Sequence, residues 1–139
     1  MSTRHKIFPE LNLNVTVRSG FVRSDEMVDL ARIYMADPLF SPGQHQLVHL
    51  GGVTGFDRDY VTFMKQQALI CSAMTRQDLS IMVVMFSRPG PGRDVAMAFS
   101  RSWEDLSQIV VRQSDSLAEA ASMLGLPETF DLQMLDRVA

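Results

Sequence analysis

The chain has 139 residues, a formal net charge of −3 and an apolar fraction of 46%, which predict one globular domain of ordinary composition. The acidic balance argues against non-specific binding to nucleic acid or to an anionic membrane surface. A single cysteine, Cys71, excludes an internal disulfide framework and a cysteine-cluster metal site. No apolar run reaches the length of a transmembrane segment, and the polar start leads into no signal region, so the expected compartment is the cytoplasm.

The first third of the chain predicts a β-hairpin and a helix. Residues 11–18 alternate strictly between apolar and polar, which is typical of a strand with one face in water. A shorter strand at residues 4–8 is expected to pair with it. Ser24 is expected to cap a helix that ends near Asp37. The apolar face of this helix is formed by Met27, Leu30, Ala31 and Tyr34.

The middle third predicts two strands, each followed by a glycine-bearing loop. A short strand at residues 47–50 leads into the loop Gly51–Asp57, whose aspartate is expected to cap the second helix. Residues 79–86 are mostly apolar without alternation, as in a strand covered on both faces. The loop Ser87–Arg93 follows. The expected core stripe of the second helix is Tyr60, Phe63, Met64, Cys71 and Met74.

The last third predicts a third helix, a strand at residues 108–112 and a fourth helix from Ser116 to Gly125. The order β(β)αβαβαβα predicts an α/β fold with right-handed parallel crossovers. A domain over residues 1–126 is expected, followed by an extension over 127–139. A short helix there would pack on its own domain or on a second subunit, with one side lined by Phe130, Met134, Leu135 and Val138.

Four short motifs, Val15–Gly20, Ala36–Phe40, Leu47–Gly55 and Leu124-Gly125, together with the order of elements, resemble the bacterial SpoIIAA-like family. That family shares its fold with STAS (anti-sigma-factor-antagonist) domains and with lipid-binding Sec14-like domains. The resemblance covers about residues 5–126. It implies a single-domain sandwich with a mostly parallel or mixed sheet of four to five strands and about four helices, and it implies no enzymatic activity.

The chain departs from that family at two positions. Phosphorylatable STAS regulators carry a serine at the start of the second helix, where this chain offers only the hydroxyl of Thr54. Thr54 is therefore the candidate phosphoacceptor. The narrower family commonly has an aspartate near the end of the preceding strand, where this chain has His49.

The two glycine-bearing loops form the candidate ligand site. If their strands are adjacent and parallel, both loops open on the same edge of the sheet and aim backbone N–H groups at one crevice, which suits an anion or a polar ligand. Tight turns with solvated arginines are the alternative interpretation. The candidate ligand-binding residues are His49, Gly51, Gly52, Thr54, Ser87, Arg88, Gly90, Gly92 and Arg93.

No residue pattern predicts catalysis or a metal site. His45 and His49 lie about 13 Å apart on a strand, too far to share one ion. Ser87 lacks the glycines of a nucleophile elbow, and Cys71 is expected to be buried. No metal or other cofactor is therefore expected.

Two functions remain open from the sequence, ahead of an unrecognised hydrolase. The first is a non-enzymatic STAS-like regulatory or protein-interaction domain with an unknown partner. The alternative is a carrier or sensor for a small molecule or lipid, with its crevice at the carboxyl ends of the central strands. Phe63, Phe99 and Trp103 suit such a pocket and equally suit a filled core. A homodimer is the default expectation, because two-fold dimers are the commonest oligomers.

Overall fold

A computed structural model describes residues 2–74 and 80–134, which form one mixed five-stranded sheet with α-helices packed on it. The α/β class predicted from the sequence is confirmed. None of the helices described is long and apolar enough to cross a bilayer. The strands are β1 (Ser2–Phe8), β2 (Leu13–Val22), β3 (His45–Phe56), β4 (Ile81–Phe86) and β5 (Ile109–Ser114). The helices are α1 (Met27–Met35), α2 (Tyr60–Met74), α3 (Pro91–Trp103) and α4 (Leu117–Met123).

The strands lie side by side in chain order. β1 pairs antiparallel with β2 as the predicted hairpin, and every later pair is parallel. Right-handed crossovers between successive neighbours place α1, α2 and α3 on the same face of the sheet. That face is called the helical face below. The opposite face is left to α4 and the segment after it.

Two apolar clusters reflect this division. On the helical face, Val83 and Met85 of β4 pack in the larger cluster with residues of α1, α2 and α3. On the opposite face, Val84 packs with Ala120 of α4. All four side chains are buried, so β4 is covered on both faces as predicted. Leu79, the first residue of the predicted strand, lies outside the described residues.

The polar side of β2 is not in water. Asn14, Thr16 and Arg18 lie on the helical face, where they line a cavity together with residues of α1, α2 and α3. Asn14 and Arg18 are buried, and Thr16 is half-buried. The expectation that this face is solvated is therefore wrong, because three crossover helices cover the face that carries the polar side chains.

The predicted loop Gly51–Asp57 is mostly strand. β3 continues to Phe56 and pairs with the second half of β2 through two register shifts. The glycines allow close packing there, since a Cβ added to Gly52 would lie 2.9 Å from the Cβ of Ser19. A run of glycines that suggested a loop therefore lets two irregular strands approach each other.

The two predicted helix caps bond to each other. The backbone N–H and the hydroxyl of Ser24 donate to the carboxylate of Asp57 at 2.9 and 2.7 Å. Ser24 begins a short 3-10 turn that precedes α1, and α2 begins only at Tyr60. This hydrogen-bonded pair joins the segments that follow β2 and β3. Ser24 and Asp57 were each expected to cap an α-helix, and both predictions are wrong, because neither residue lies at the start of α1 or α2.

The segment after α4 packs on its own domain as far as it is described. The ring of Phe130 lies 5.2 Å from the ring of Phe8, and Met134 is half-buried against the cluster under α4. Leu135 and Val138, which were expected to complete a short helix, lie outside the described residues. Packing on a second subunit stays a prediction.

Candidate functional site

A cavity of about 80 Å³ lies between the helical face and the three helices that cover it. Its floor comes from β1 to β4 and its roof from α1, α2 and α3. Ile33 is 63% exposed, which places the mouth of the cavity beside α1. The lining residues are Thr3, His5, Asn14, Thr16, Arg18, Leu30, Ala31, Ile33, Tyr34, Gln46, Val48, Gln67, Ile70, Val83, Phe99 and Trp103.

One wall of the cavity is a hydrogen-bonded polar network. The amide nitrogen of Asn14 donates to Gln46 Oε1 at 2.9 Å, and the amide nitrogen of Gln46 donates to the hydroxyl of Tyr34 at 3.1 Å. Burial raises the pKa of Tyr34 to about 12, so its hydroxyl stays protonated. At the rim, His5 Nε2 lies 2.8 Å from the carboxylate of Asp37. These bonds fix the positions of the polar side chains.

Arg18 carries a buried charge into this wall. Its side chain is 9% exposed, one terminal nitrogen donates to the sulfur of Met27 at 3.0 Å, and the guanidinium lies 5.3 Å from the ring centre of Phe99. Burial lowers the pKa of Arg18 to about 10, far above neutral, so the group is charged at pH 7. Within residues 2–74 and 80–134, no carboxylate forms an ion pair with it.

Among the described residues, the buried side-chain polar atoms without a hydrogen-bond partner all belong to residues that line this cavity. In the described part of the chain they are Thr3 Oγ1, Asn14 Oδ1, Arg18 Nε, both amide atoms of Gln67 and Trp103 Nε1. Leaving such a group unpaired costs about 1–3 kcal/mol, and folded proteins contain few of them. A water or a ligand in the cavity would supply the missing partners.

The other wall is apolar. Ile70 of α2, Val83 of β4 and the rings of Phe99 and Trp103 face the same space. Phe63 does not line the cavity but supports it, with its ring 5.1 Å from that of Phe99. The cavity is therefore amphipathic, as are most small-molecule sites.

The predicted residues on β3 lie elsewhere. His49 is fully buried on the opposite face, where its ring lies 4.8 Å from that of Phe86 and its Nδ1 accepts from the N–H of Gly51 at 3.2 Å. Gly51, Gly52 and Thr54 lie within the strand itself, and Thr54 is exposed. Thr54 is thus accessible to a modifying enzyme, and its phosphorylation stays a prediction.

The second predicted segment meets the first through direct contacts. Arg88 lies over the ring of Phe86 and donates to the carbonyl oxygen of Gly51 at 3.3 Å. Gly92 packs on the backbone of Leu50, where a Cβ would lie 2.6 Å from the carbonyl oxygen. Gly90 precedes α3 with φ +123°, a conformation that glycine alone adopts freely. The two segments are therefore neighbours, as adjacent parallel strands require, and Arg88 and Gly92 make the contacts between them. A ligand crevice lined by both segments stays a prediction.

Ser87 and Arg93 line a separate cavity of about 220 Å³ beyond the ends of β4 and β5. The same cavity is lined by Gln113, Ser114, Asp115 and Glu119. Two carboxylates face one guanidinium, and none of the unpaired buried atoms belongs to it. This part of the strand edge is open, as the sequence analysis expected, but its charge does not favour an anion.

No cluster of at least three histidine, cysteine or acidic side chains suited to a metal occurs among the residues that the structure describes. Cys71 is buried in α2, as predicted.

Two residues that line the cavity, Arg18 and Gln67, carry no binding role in the sequence-based prediction. The alternation of β2 predicts a solvated face for Arg18, and Gln67 lies between members of the expected apolar stripe of α2, whereas Trp103 is one of three aromatics that suit either a pocket or a filled core. Gln67 follows Phe63 by four residues and therefore lies on the same side of the helix. A polar side chain on the apolar side of a helix was the sequence feature that could have predicted a polar site under α2.

Comparison with models of known protein families gives no match, and comparison with curated protein sequences gives none. The resemblance to SpoIIAA-like proteins therefore stays a prediction.

Proposed function

We propose that the chain is a small-molecule-binding domain, a carrier or a sensor, that holds its ligand in the cavity between the helical face and α1 to α3. One observation carries the proposal: in the described residues, every buried side-chain nitrogen or oxygen without a hydrogen-bond partner belongs to a residue that lines this cavity. A core selected only for stability would place apolar side chains at these positions, because unpaired polar groups destabilise it.

Gln67 is the clearest case. Its side chain is 0% exposed, and neither its amide oxygen nor its amide nitrogen has a hydrogen-bond partner. A leucine at this position would cost nothing in polar desolvation. A ligand that bonds to the amide explains why a glutamine faces the cavity.

The volume supports a small ligand rather than a lipid. Sites for drug-sized molecules measure roughly 300–1,000 Å³, whereas this cavity measures about 80 Å³. The proposed function is thus narrower than the carrier alternative expected from the sequence, and the proposed site is the helical face rather than the carboxyl edge of the sheet.

A fragment screen by ligand-observed NMR tests the proposal. The library contains neutral, anionic and cationic compounds of up to about six heavy atoms, in keeping with the volume of the cavity. Ala31→Leu adds three carbons to a buried position that lines the cavity, and Ala68→Leu makes the same change on the exposed side of α2. We expect at least one compound to bind the wild type and Ala68→Leu but not Ala31→Leu. A screen in which no compound distinguishes the two variants would contradict the proposal.

A regulatory or protein-interaction function stays the second candidate, favoured by the exposed apolar side chains of α2. Val61 and Leu69 are among the most exposed large apolar residues of the described chain. Sedimentation of the wild type and of Leu69→Asp tests whether this face joins two copies of the chain. A dimer that Leu69→Asp dissociates supports an interaction surface here, whereas a monomer at every concentration contradicts the homodimer prediction.

A further inference from the structure

We infer that the ligand of this cavity is a small organic anion, of the class of short-chain carboxylates, with Arg18 as its counter-ion. The inference rests on the proposed function and adds the chemical class of the ligand. It depends on the charge of the lining, on the balance of donors and acceptors, and on the arrangement of apolar and polar walls.

The lining of the cavity carries positive charge and no acidic side chain. Arg18 contributes a guanidinium, and none of the lining residues is an aspartate or a glutamate. His5, the other basic side chain of the lining, faces Asp37 at the rim. Arg18 has a sulfur and an aromatic ring as neighbours but no ionic partner in the described residues, and an anion in the cavity would supply one.

The unpaired atoms favour a ligand that accepts hydrogen bonds. Arg18 Nε and Trp103 Nε1 can only donate, and the amide nitrogen of Gln67 is a further donor. The hydroxyl of Thr3 can donate as well. A carboxylate offers two oxygens with about four acceptor positions, which matches this set. The remaining acceptors, Asn14 Oδ1 and Gln67 Oε1, suit a water or a hydroxyl that accompanies the anion.

The donors are held close together by the fold. Thr3 and Arg18 are paired neighbours in the β1–β2 register. The ring of Phe99 lies 5.3 Å from the guanidinium of Arg18 and 5.6 Å from the ring of Trp103. These contacts place the charged group of the ligand beside β1 and β2, under Phe99.

The rest of the ligand would lie against Ile70 and Val83. The volume of about 80 Å³ equals roughly that of three waters, at about 30 Å³ each in the liquid. A carboxylate and one carbon fill this space, so a chain of a few carbons would extend into the mouth beside Ile33. Butyrate has this form, and butyramide and butylammonium are its neutral and cationic counterparts.

Titrations with these three probes test the inference. The indole N–H of Trp103 gives a single resonance in a 1H–15N spectrum, because the chain has one tryptophan. We expect butyrate to shift this resonance and to bind at least tenfold more tightly than butyramide, since hydrogen bonds to charged groups are about twice as strong as neutral ones. Butylammonium should not bind.

Two arginine variants separate the cavity from general charge effects. Arg18→Met should abolish the preference for butyrate over butyramide. Arg112→Met, on an exposed position of β5, should keep it. Arg18→Gln serves as the second variant if Arg18→Met does not fold, since it keeps a polar side chain while removing the charge.

The outcomes distinguish the inference from the function beneath it. If butyrate and butyramide bind equally, or if the preference survives in both Arg18 variants, the assignment to an anion is wrong while a binding cavity remains. If butyrate fails to bind but neutral fragments bind in a manner that Ala31→Leu abolishes, the anion inference again fails alone. If no fragment of any charge binds the cavity, the proposed function fails as well.

Discussion

Replacement of Arg18 by methionine should stabilise the ligand-free protein. Methionine fills a similar elongated volume against Met27 and Phe99, but it brings no charge into the cavity. The buried guanidinium has no carboxylate partner among the described residues, so no ion pair offsets its desolvation in the absence of ligand. Loss of an arginine from a protein core would then raise the free energy of unfolding rather than lower it.

The magnitude follows from the burial of the charge. Burial lowers the pKa of Arg18 to about 10, which corresponds to about 3 kcal/mol at 1.36 kcal/mol per pKa unit. The variant loses the interaction of the guanidinium with the Phe99 ring, worth about 1 kcal/mol. The expected net gain is therefore about 2 kcal/mol, and the melting temperature should rise by roughly 4–8 °C for a domain of this size.

Urea and thermal unfolding of ligand-free protein at pH 7 measure the effect, with Arg112→Met as the matched control. Arg112 is an exposed strand arginine, so its replacement should change the free energy of unfolding by less than about 0.5 kcal/mol. A loss of 2 kcal/mol or more in Arg18→Met, with an unchanged control, would refute the reasoning, because Arg18 would then be compensated within the folded chain.

The difference in stability between the wild type and Arg18→Met should also depend on pH. A base whose pKa is lowered in the folded state binds fewer protons there than in the unfolded chain once the pH approaches 10. The wild type should therefore gain stability relative to Arg18→Met as the pH rises through about 10. A constant difference between the two proteins from pH 7 to 11 would show that Arg18 does not titrate differently on folding.

Three further substitutions test other parts of the account. Gln67→Leu should stabilise the ligand-free protein by about 1–3 kcal/mol in urea unfolding, because it removes two unpaired buried amide atoms. Gly92→Ala should lower the free energy of unfolding by about 1–3 kcal/mol, since its Cβ would lie 2.6 Å from the carbonyl oxygen of Leu50. Asp37→Asn should reduce the free energy of unfolding at pH 7 but not in acid. The N–H of Leu39 first, and then His5, lower the pKa of Asp37 in the folded protein. The advantage of the wild type is therefore present above about pH 4 and disappears as the pH falls below it.

Each of these has a contrary outcome. Gln66 is the control for its neighbour, because its amide oxygen accepts from the N–H of Val28 at 2.8 Å. Gln66→Leu should lower the free energy of unfolding. If Gln66→Leu and Gln67→Leu change that free energy in the same direction, the amide of Gln67 does not carry the cost of being unpaired. Arg93→Ala, the control for Gly92→Ala, should leave the free energy of unfolding nearly unchanged. An equal loss of stability in both variants would contradict the explanation by the close contact between Gly92 and Leu50. An Asp37→Asn variant with an unchanged acid midpoint would show that this carboxylate does not contribute.

The order of the elements was predictable because local patterns carry it. The hairpin, the apolar central strand and the helices follow from periodicity and from turn residues. Ser116 caps α4 through its side chain, with the N–H of Glu119 donating to the serine hydroxyl at 3.2 Å, although the N–H of Ser116 donates to Ser114 Oγ at 3.0 Å rather than to Glu119. These features depend on residues that are close in sequence.

The site was not predicted because it depends on which face of the sheet the helices cover. The alternation of residues 11–18 distinguishes two faces of β2 but does not show which one meets water. Successive right-handed crossovers bring α1, α2 and α3 over the polar face, which turns Asn14 and Arg18 inward. Combined with the polar alternation, that topology would have predicted a polar interior.

The glycines of β3 predicted a loop where the structure has a strand, and the reason is again a contact between distant residues. A cluster such as Gly51, Gly52 and Gly55 usually marks a loop. Here Gly52 and Gly55 lie opposite Ser19 and Phe21 beside the register shifts of β2, where these two side chains leave no room for a Cβ. That close approach involves residues more than thirty positions apart, and no local pattern reports it.

A crystal structure of the protein grown with butyrate tests the central claim most directly. The account predicts a carboxylate in the cavity, with an oxygen within about 3.2 Å of Arg18 Nε or Trp103 Nε1, at ordinary hydrogen-bond distance. A cavity occupied by water alone at saturating butyrate, with Arg18 and Gln67 bonded only to that water, would contradict it.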